Sequence, residues 1–306
     1  YLKKSTKLFV FPIIQKKNIS FTISTILFTL SLILLVVVGI KPGIDFTGGT
    51  LIQLRFEGER PERAALQTVV EGLELGNVLI QPADNDSHIV KMAYLEEEDH
   101  QRLLLSVRTA YESEEYKVVE ESVETIGPSI SSDLRSRSIK AGFGVVIAII
   151  LFIAYSFRKV SKPVSSWKFG VTAIIALLHD VIITMGVFVL LGHFLGVEVG
   201  IPFVVAMLTI LGYSVNDTIV VFDRIREKIM RKEYKNFAET VNVGVNETIP
   251  RSINTSVTTL LVLLGLCIFG GESVRFFSLS LVIGIILGTY SSLFLASPLL
   301  VWWEKK

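Results

Sequence analysis

The stretch GIPFVVAMLTILGYSVNDTIVVF (200–222) is about twenty residues of apolar sequence with a carboxylate, Asp217, near its end. At 1.5 Å per residue a helix of that length crosses a bilayer core of roughly 30 Å. Similar blocks recur at Ile19–Ile40, Ile139–Phe157, Trp167–Leu191, Ile253–Phe269 and Phe276–Trp303. The chain has 306 residues, 50% hydrophobic and 19% charged, below the quarter expected of a soluble domain, and the apolar excess is concentrated in these blocks. The pattern predicts a polytopic α-helical membrane protein with six transmembrane helices.

The first block follows Lys3, Lys4, Lys7, Lys16 and Lys17, the charge order of a signal peptide. It is longer than a signal core and runs into GIKPGID (39–45) rather than a small-residue cleavage site, which favours an uncleaved anchor. Lysine and arginine in the short loops set orientation. Arg158, Lys159, Lys162 and Lys168 follow the second span, and Arg224, Arg226, Lys228, Arg231, Lys232 and Lys235 follow the fourth. The connections 192–198 and 270–274 carry neither residue type. Both termini are therefore expected in the cytoplasm. The division is an arm over 1–18, a first span over 19–40, an outward domain over 41–138, a five-helix bundle over 139–303 with cytoplasmic loops near 158–168 and 223–248, and a tail over 304–306. The arm, with Phe9, Phe11, Ile13 and Ile14 between lysines, reads either as an interfacial segment or as a disordered basic stretch.

The outward domain holds nineteen Asp/Glu against ten Lys/Arg. TLIQLRF (50–56) alternates at strand period; Pro61–Leu73 and Glu96–Tyr111 have helical faces; Val78–Ile80, Ile89–Tyr94 and Tyr116–Val123 read as strands. The order is βαββαβ, a ferredoxin-like split βαβ unit. Asp84, Asn85 and Asp86 make a turn, His88 beside it reads as a solvated surface residue, and Gly48-Gly49 reads as a tight turn. No nucleophile–base set or metal-ligand spacing appears, and lone Cys267 forms no intrachain disulfide, so an enzyme is not expected.

Ionisable residues inside spans are costly, by about 2.5–3.5 kcal/mol on translocon scales, and face partners or water. Helical spacing places Tyr213, Ser214, Asp217 and Thr218 near one face, with Asp217 roughly 9 Å from the span centre toward the cytoplasm. Arg251 opens the fifth span, followed by Ser252, Thr255, Ser256, Thr258 and Thr259. An acid and a base at similar depth read either as a structural salt bridge or as a proton carrier with a fixed counter-ion. Asp180, beside His179 in the third span, is either a second relay residue or a helix-contact hydrogen-bonding group. Asn216, Thr218 and Thr255 are further pathway or helix-contact candidates. Glycines 142, 144, 265, 284 and 288 permit close helix approach.

GIDFTGGT (43–50), GPSISSDLRSRS (127–138), LLHDVIIT (177–184), LGYSVNDTIVVFDRIRE (211–227), TIPRSINTSVTTLL (248–261) and SLSLVIGIILGTYSSLFLASPLL (278–300) stand in order on the six spans. In these motifs the chain resembles the SecF side of the SecD/SecF family of protein-export membrane proteins, within the resistance-nodulation-division superfamily. The resemblance covers nearly the whole length. It implies an accessory role in bacterial Sec export, in the plasma membrane. SecD, the SecYEG channel, YajC and emerging preprotein segments are the implied partners, with the lipid bilayer around the spans and no nucleic acid. It implies no cofactor, and as coupling ion protons or, as in members from alkaline or marine settings, sodium. The family's essential aspartate and arginine match Asp217 and Arg251. Asp45, Gly48 and Gly49 fall in its outer motif as structural or coupling residues. The chain begins at Tyr1, which fits a trimmed chain or the second half of a SecD–SecF fusion. Two rivals share the chemistry: a proton-coupled small-molecule or lipid exporter of the same superfamily, and a non-transporting assembly factor.

Overall fold

The computed structural model describes residues 11–83, 86–157, 165–231 and 236–304. Lys3, Lys4, Lys7, Phe9, Asp84, Asn85, Arg158, Lys159, Lys162, Lys232, Lys235 and the 305–306 tail end lie outside the described residues. The elements in chain order are α1 (Lys17–Val37), α2 (Ile44–Thr47), β1 (Gly49–Phe56), α3 (Arg63–Glu71), β2 (Leu79–Ala83), β3 (Ser87–Met92), α4 (Glu97–Tyr111), β4 (Val118–Ile126), α5 (Pro128–Phe157), α6 (Ser166–Leu195), α7 (Ile201–Arg231), α8 (Phe237–Phe269) and α9 (Glu272–Ser291). A π-helical turn (Ser292–Ala296) then leads into α10 (Ser297–Glu304). The chain divides into two compact units, Pro42–Ile139 and the described part of Tyr1–Lys41 with Lys140–Lys306.

In the smaller unit, four strands form a sheet in the order β2-β3-β1-β4, every neighbouring pair antiparallel. Thr50 faces Met92 across β1 and β3, and Gly49 faces Ile126 across β1 and β4. The alternation in β1 buries Ile52, Leu54 and Phe56 against Leu66 and Val70 of α3 and Leu103, Leu104 and Val107 of α4. Each fully buried aliphatic side chain of this kind contributes about 1.5–3 kcal/mol. On the opposite face Gln53 and Arg55 bond Glu121, each at 2.8 Å. Glu97, Glu98 and Asp99 complement the dipole at the start of α4. His88 is a correction to the sequence reading: it is 2% exposed, not solvated. Its Nε2 lies 2.8 Å from the Pro61 carbonyl and its ring meets Phe56 edge-on. Both partners are distant in sequence, so a turn-side position said nothing about burial.

Six helices are long and apolar enough to cross a membrane: α1, α5, α6, α7, α8 and the run Val274–Glu304. They extend past their apolar blocks. α5 starts at Pro128, where a missing N–H costs the helix nothing. α8 starts at Phe237, capped by the Asn236 side chain, which accepts from the Ala238 N–H at 3.0 Å. The segment 223–248, read from hydropathy as a loop, is helical over 223–231 and 237–248. Hydropathy marks where lipid contact ends, not where backbone hydrogen bonding ends. The charges there form a cluster between α7 and α8: Lys228 pairs with Glu247 at 2.9 Å, and Arg224 bonds Glu227 and Glu247. The described end of the arm is seated on α8. Asn246 accepts from the Phe11 N–H at 2.7 Å and donates to its carbonyl at 3.0 Å; Asn242 accepts from the Ile14 N–H at 3.1 Å. Ile13 and Ile14 are buried there.

Within the bundle α7 packs on α6, α8 and α9, α9 on α6 and α8, and α1 on α6. Two apolar clusters fill it. One includes Phe169, Leu177, Val221, Phe222, Val245 and Leu293; the other includes Phe188, Phe203, Ile210, Leu263 and Ile285. On α6, α8 and α9 some of the buried polar residues fall between members of the two clusters: His179 and Asp180, Ser252 and Ser256, Ser291 and then Ser292. Ser214, Asp217 and Thr218 of α7 join the same belt. With lipid outside as apolar as the core, such hydrogen bonds and close packing hold helices together.

Candidate functional site: a buried polar belt around Asp217

Asp217 is 9% exposed, on the α7 face that packs on α8 and α9. Its Oδ1 accepts from the Ser252 hydroxyl of α8 at 2.6 Å. Its Oδ2 is buried with no hydrogen-bond partner among the described residues. A cavity of about 60 Å³ opens beside it, lined by Tyr213, Asn216, Asp217, Val220, Arg251 and Thr255. The structure thus brings together Asp217, Arg251, Asn216 and Thr255 around one space. It does not pair the acid with the base: no ion pair within 4.0 Å joins Asp217 to Arg251 among the described residues. The guanidinium acts across the cavity rather than through a bond. Pro250, inside α8 beside Arg251, leaves the residue 246 carbonyl without its ladder donor. Thr255 is tied down by its own helix, donating to the Arg251 carbonyl at 2.9 Å.

Thr218 points elsewhere, bonding Ser292 of the π turn at 2.9 Å. Tyr213 donates to Ser256 at 3.3 Å, and Ser256 bonds Thr289 of α9 at 2.6 Å. The π turn has a sequence cause: Pro298 has no N–H to offer the residue 294 carbonyl, and the helix widens just before it, with the Ser297 hydroxyl reaching the Ser292 carbonyl at 3.1 Å. Asp180 belongs to a neighbouring cluster with His179, Ser214 and Ser291. Sequence reading missed Tyr290, Ser291 and Ser292; two serines six and seven residues before a proline in an apolar span were the available signal.

Asp45, Gly48 and Gly49 lie in the sheet unit, where α2 runs into β1. Gly48 has φ +73° and Gly49 φ +134°. A Cβ on Gly49 would stand 2.6 Å from the Met92 carbonyl oxygen, and one on Gly48 would stand 3.3 Å from the Ser131 hydroxyl and the Ile126 carbonyl. The pair lets β1 enter the sheet against β3 and β4 where a Cβ would meet backbone. Among the described residues no group of three His, Cys, Asp or Glu could hold a metal ion.

Residues 106–306 match the family described as "Protein export membrane protein SecD/SecF, C-terminal", and residues 33–59 match its GG motif. The chain belongs to the SecD/SecF family. Its relatives include a protein translocase subunit SecF of Thermobaculum terrenum, 39% identical over 90% of this chain and 88% of the relative. Another, from Desulfurispirillum indicum, is 36% identical over 98% of this chain and 94% of the relative. Among solved structures, SecDF of Thermus thermophilus, a translocon-associated membrane protein, superposes with a TM-score of 0.81 at 34% identity. A SecDF in a super-membrane-facing form gives 0.68 at 35% identity. These cover 97% and 96% of this chain, but only 39% of each SecDF chain. The family's GG motif falls on Gly48 and Gly49, and its C-terminal region contains the polar belt.

Proposed function

We propose that this chain is the SecF-type subunit of the bacterial Sec export machinery, and that with SecD it couples the proton-motive force to outward movement of preproteins through SecYEG. The observation that carries the coupling is Asp217: a buried carboxylate, held by one hydroxyl, opening on a cavity that a guanidinium also lines. A proton arriving on Oδ2 neutralises the acid and removes its attraction for Arg251 across the cavity. A proton leaving restores it. Since α7 carries Asp217 and α8 carries Arg251 and Ser252, the two states favour different settings of these helices. One elementary charge moved through 100 mV supplies about 2.3 kcal/mol, enough to bias a two-state element. The sheet unit is the part that takes this motion to the preprotein. Its β-α-β-β-α-β order and the antiparallel sequence β4-β1-β3-β2 support the ferredoxin-like reading.

This reading places the chain in the inner membrane with both termini cytoplasmic and the sheet unit outside, with SecD and YajC as neighbours and protons as coupling ion. The translocase names of the relatives speak against the small-molecule or lipid exporter. The test is Asp217→Asn in a complex whose expression and assembly are intact. Gradient-dependent export should fall to the level seen without a gradient; undiminished export would sink the reading. A double charge swap at Asp217 and Arg251 that restored assembly and export alike would favour the assembly-factor alternative.

A further inference from the structure

The cluster around Asp180 is unused by the mechanism above. Asp180 is 1% exposed and His179 3% exposed. Oδ2 of Asp180 is approached by the Ser214 hydroxyl at 2.6 Å and the Ser291 hydroxyl at 2.7 Å, and Oδ1 by Nδ1 of His179 at 2.9 Å. An ionised carboxylate, which only accepts, satisfies all three neighbours as donors. With Asp180 ionised, that network places the proton of neutral His179 on Nδ1 and leaves Nε2 with a lone pair. Nε2 is buried with no hydrogen-bond partner among the described residues. Among those residues His179 is also the sole ion-pair partner of Asp180. A buried carboxylate without a counter-charge is costly, and a cation beside it offsets that cost.

We propose that His179 and Asp180 form a second proton-holding centre of the bundle, coupled to the Asp217 site, with Nε2 of His179 as the atom that takes the proton. This rests on the proton-coupling reading of Asp217. Asp180 stays anionic in both states. A proton on Nε2 turns the neutral imidazole into an imidazolium, and the centre passes from one negative charge to none.

Two bridges join the centres. Ser214 bonds Asp180 and stands three residues before Asp217 on α7. Ser291 bonds Asp180 while the next residue, Ser292, bonds Thr218 beside Asp217; Ser292 donates to the Gly288 carbonyl at 2.8 Å, and the Ser291 hydroxyl oxygen lies 3.2 Å from that carbonyl. The titratable groups facing this level are few. α7 brings Asp217 and Tyr213. α9 brings Tyr290, whose ring stacks on His179 and whose hydroxyl reaches Ser24 and the Ser20 carbonyl of α1, both at 3.2 Å. α1 and the π turn bring the hydroxyls of Ser24 and Ser292, and α10 has its one described titratable side chain, Glu304, at its far end. Charges on the order of 10 Å apart at an effective dielectric of about 20 change each other's protonation by roughly tenfold. The two centres therefore compete for protons: filling Asp217 empties His179.

The experiment is ¹⁵N nuclear magnetic resonance on histidine-labelled chain, assembled with SecD in bilayers, with the His179 signals assigned by their loss in His179→Gln. On acidification Nε2 should gain a proton. In Asp217→Asn, which imitates the protonated acid, the ratio of protonated to neutral His179 at a fixed pH within that transition should fall about tenfold. In Asp180→Asn the Nε2 proton should be lost across the range. A His179 ring that stays neutral throughout in the wild type overturns the proposal, as does a protonated fraction indifferent to Asp217→Asn. If Asp217→Asn abolishes gradient-driven export while His179 takes no proton, this inference alone fails. If Asp217→Asn leaves export intact, the proton-coupling reading fails instead.

Discussion

Gly49 is constrained by its own backbone angle and by the neighbouring strand. With φ at +134° and the Met92 carbonyl 2.6 Å from where a Cβ would sit, alanine must either clash with backbone or break the β1–β3 ladder at Thr50–Met92. Such backbone strain with overpacking costs about 2–4 kcal/mol. For a domain of about a hundred residues that lowers the unfolding midpoint by roughly 10 °C or more. Gly49→Ala should show this as a drop in the temperature at which the sheet unit of the bilayer-embedded chain becomes protease-sensitive. Gly48→Ala should cost about 1 kcal/mol, because only its φ of +73° and contacts at 3.3 Å oppose it. Gly142→Ala, with nothing within 4 Å, should cost nothing and gain up to about 1 kcal/mol from helix propensity. The sequence marked the glycine pair as a tight turn, since two adjacent glycines signal special backbone angles. It held no sign that Met92, more than forty residues on, supplies the wall. For the same reason Ser252 could be placed near Arg251 but not on Asp217, which lies on another helix.

Helix crossings show the same division between pattern and partner. Five glycines in the spans marked possible close approaches, yet they are not equivalent. Gly142, Gly144 and Gly265 meet nothing within 4 Å, whereas a Cβ on Gly284 would stand 2.2 Å from Ile210. Gly186, which spacing did not single out, lies against Ser31 of α1, with a Cβ 2.4 Å from the serine Cβ. Helical period gives the face of one helix but not which face of a neighbour meets it. Gly284 therefore sets the α7–α9 crossing, and Ile210, 1% exposed, is the knob it receives. Gly284→Val should destabilise the chain by about 1–3 kcal/mol through overpacking. Ile210→Ala should by itself destabilise by about 2–5 kcal/mol through the space it leaves. Combined, the two should cost clearly less than their sum, because the valine fills the volume the isoleucine vacates. A double-mutant cycle on the unfolding midpoint in detergent reads this directly, and strict additivity would show that α7 and α9 do not meet at this pair.

At the scale of the whole molecule, six apolar blocks were enough to foresee six helices, because a bilayer imposes length and composition on anything that crosses it. The polar belt was only half legible. Each of its members is an ordinary serine, threonine, histidine or aspartate on its own helix, and the belt exists because α6, α7, α8 and α9 bring them between two apolar clusters. That arrangement also bears on which ion is used. A hard cation collects about six oxygen ligands. The Asp217 cavity of about 60 Å³ offers one carboxylate and the side-chain oxygens of Tyr213, Asn216 and Thr255, with Arg251 on its wall. A fixed guanidinium repels a resident sodium ion. A proton needs one lone pair and no coordination shell, and Oδ2 of Asp217 has that lone pair to offer. In vesicles carrying the chain with SecD and SecYEG, dissipating the proton gradient at constant sodium should remove the gradient-dependent part of preprotein export. Dissipating the sodium gradient at constant pH should change export by less than about twofold, and Asp217→Asn should be insensitive to both. Export restored by a sodium gradient with no proton gradient present would reverse the assignment and require oxygen ligands from the partner subunit to complete the site.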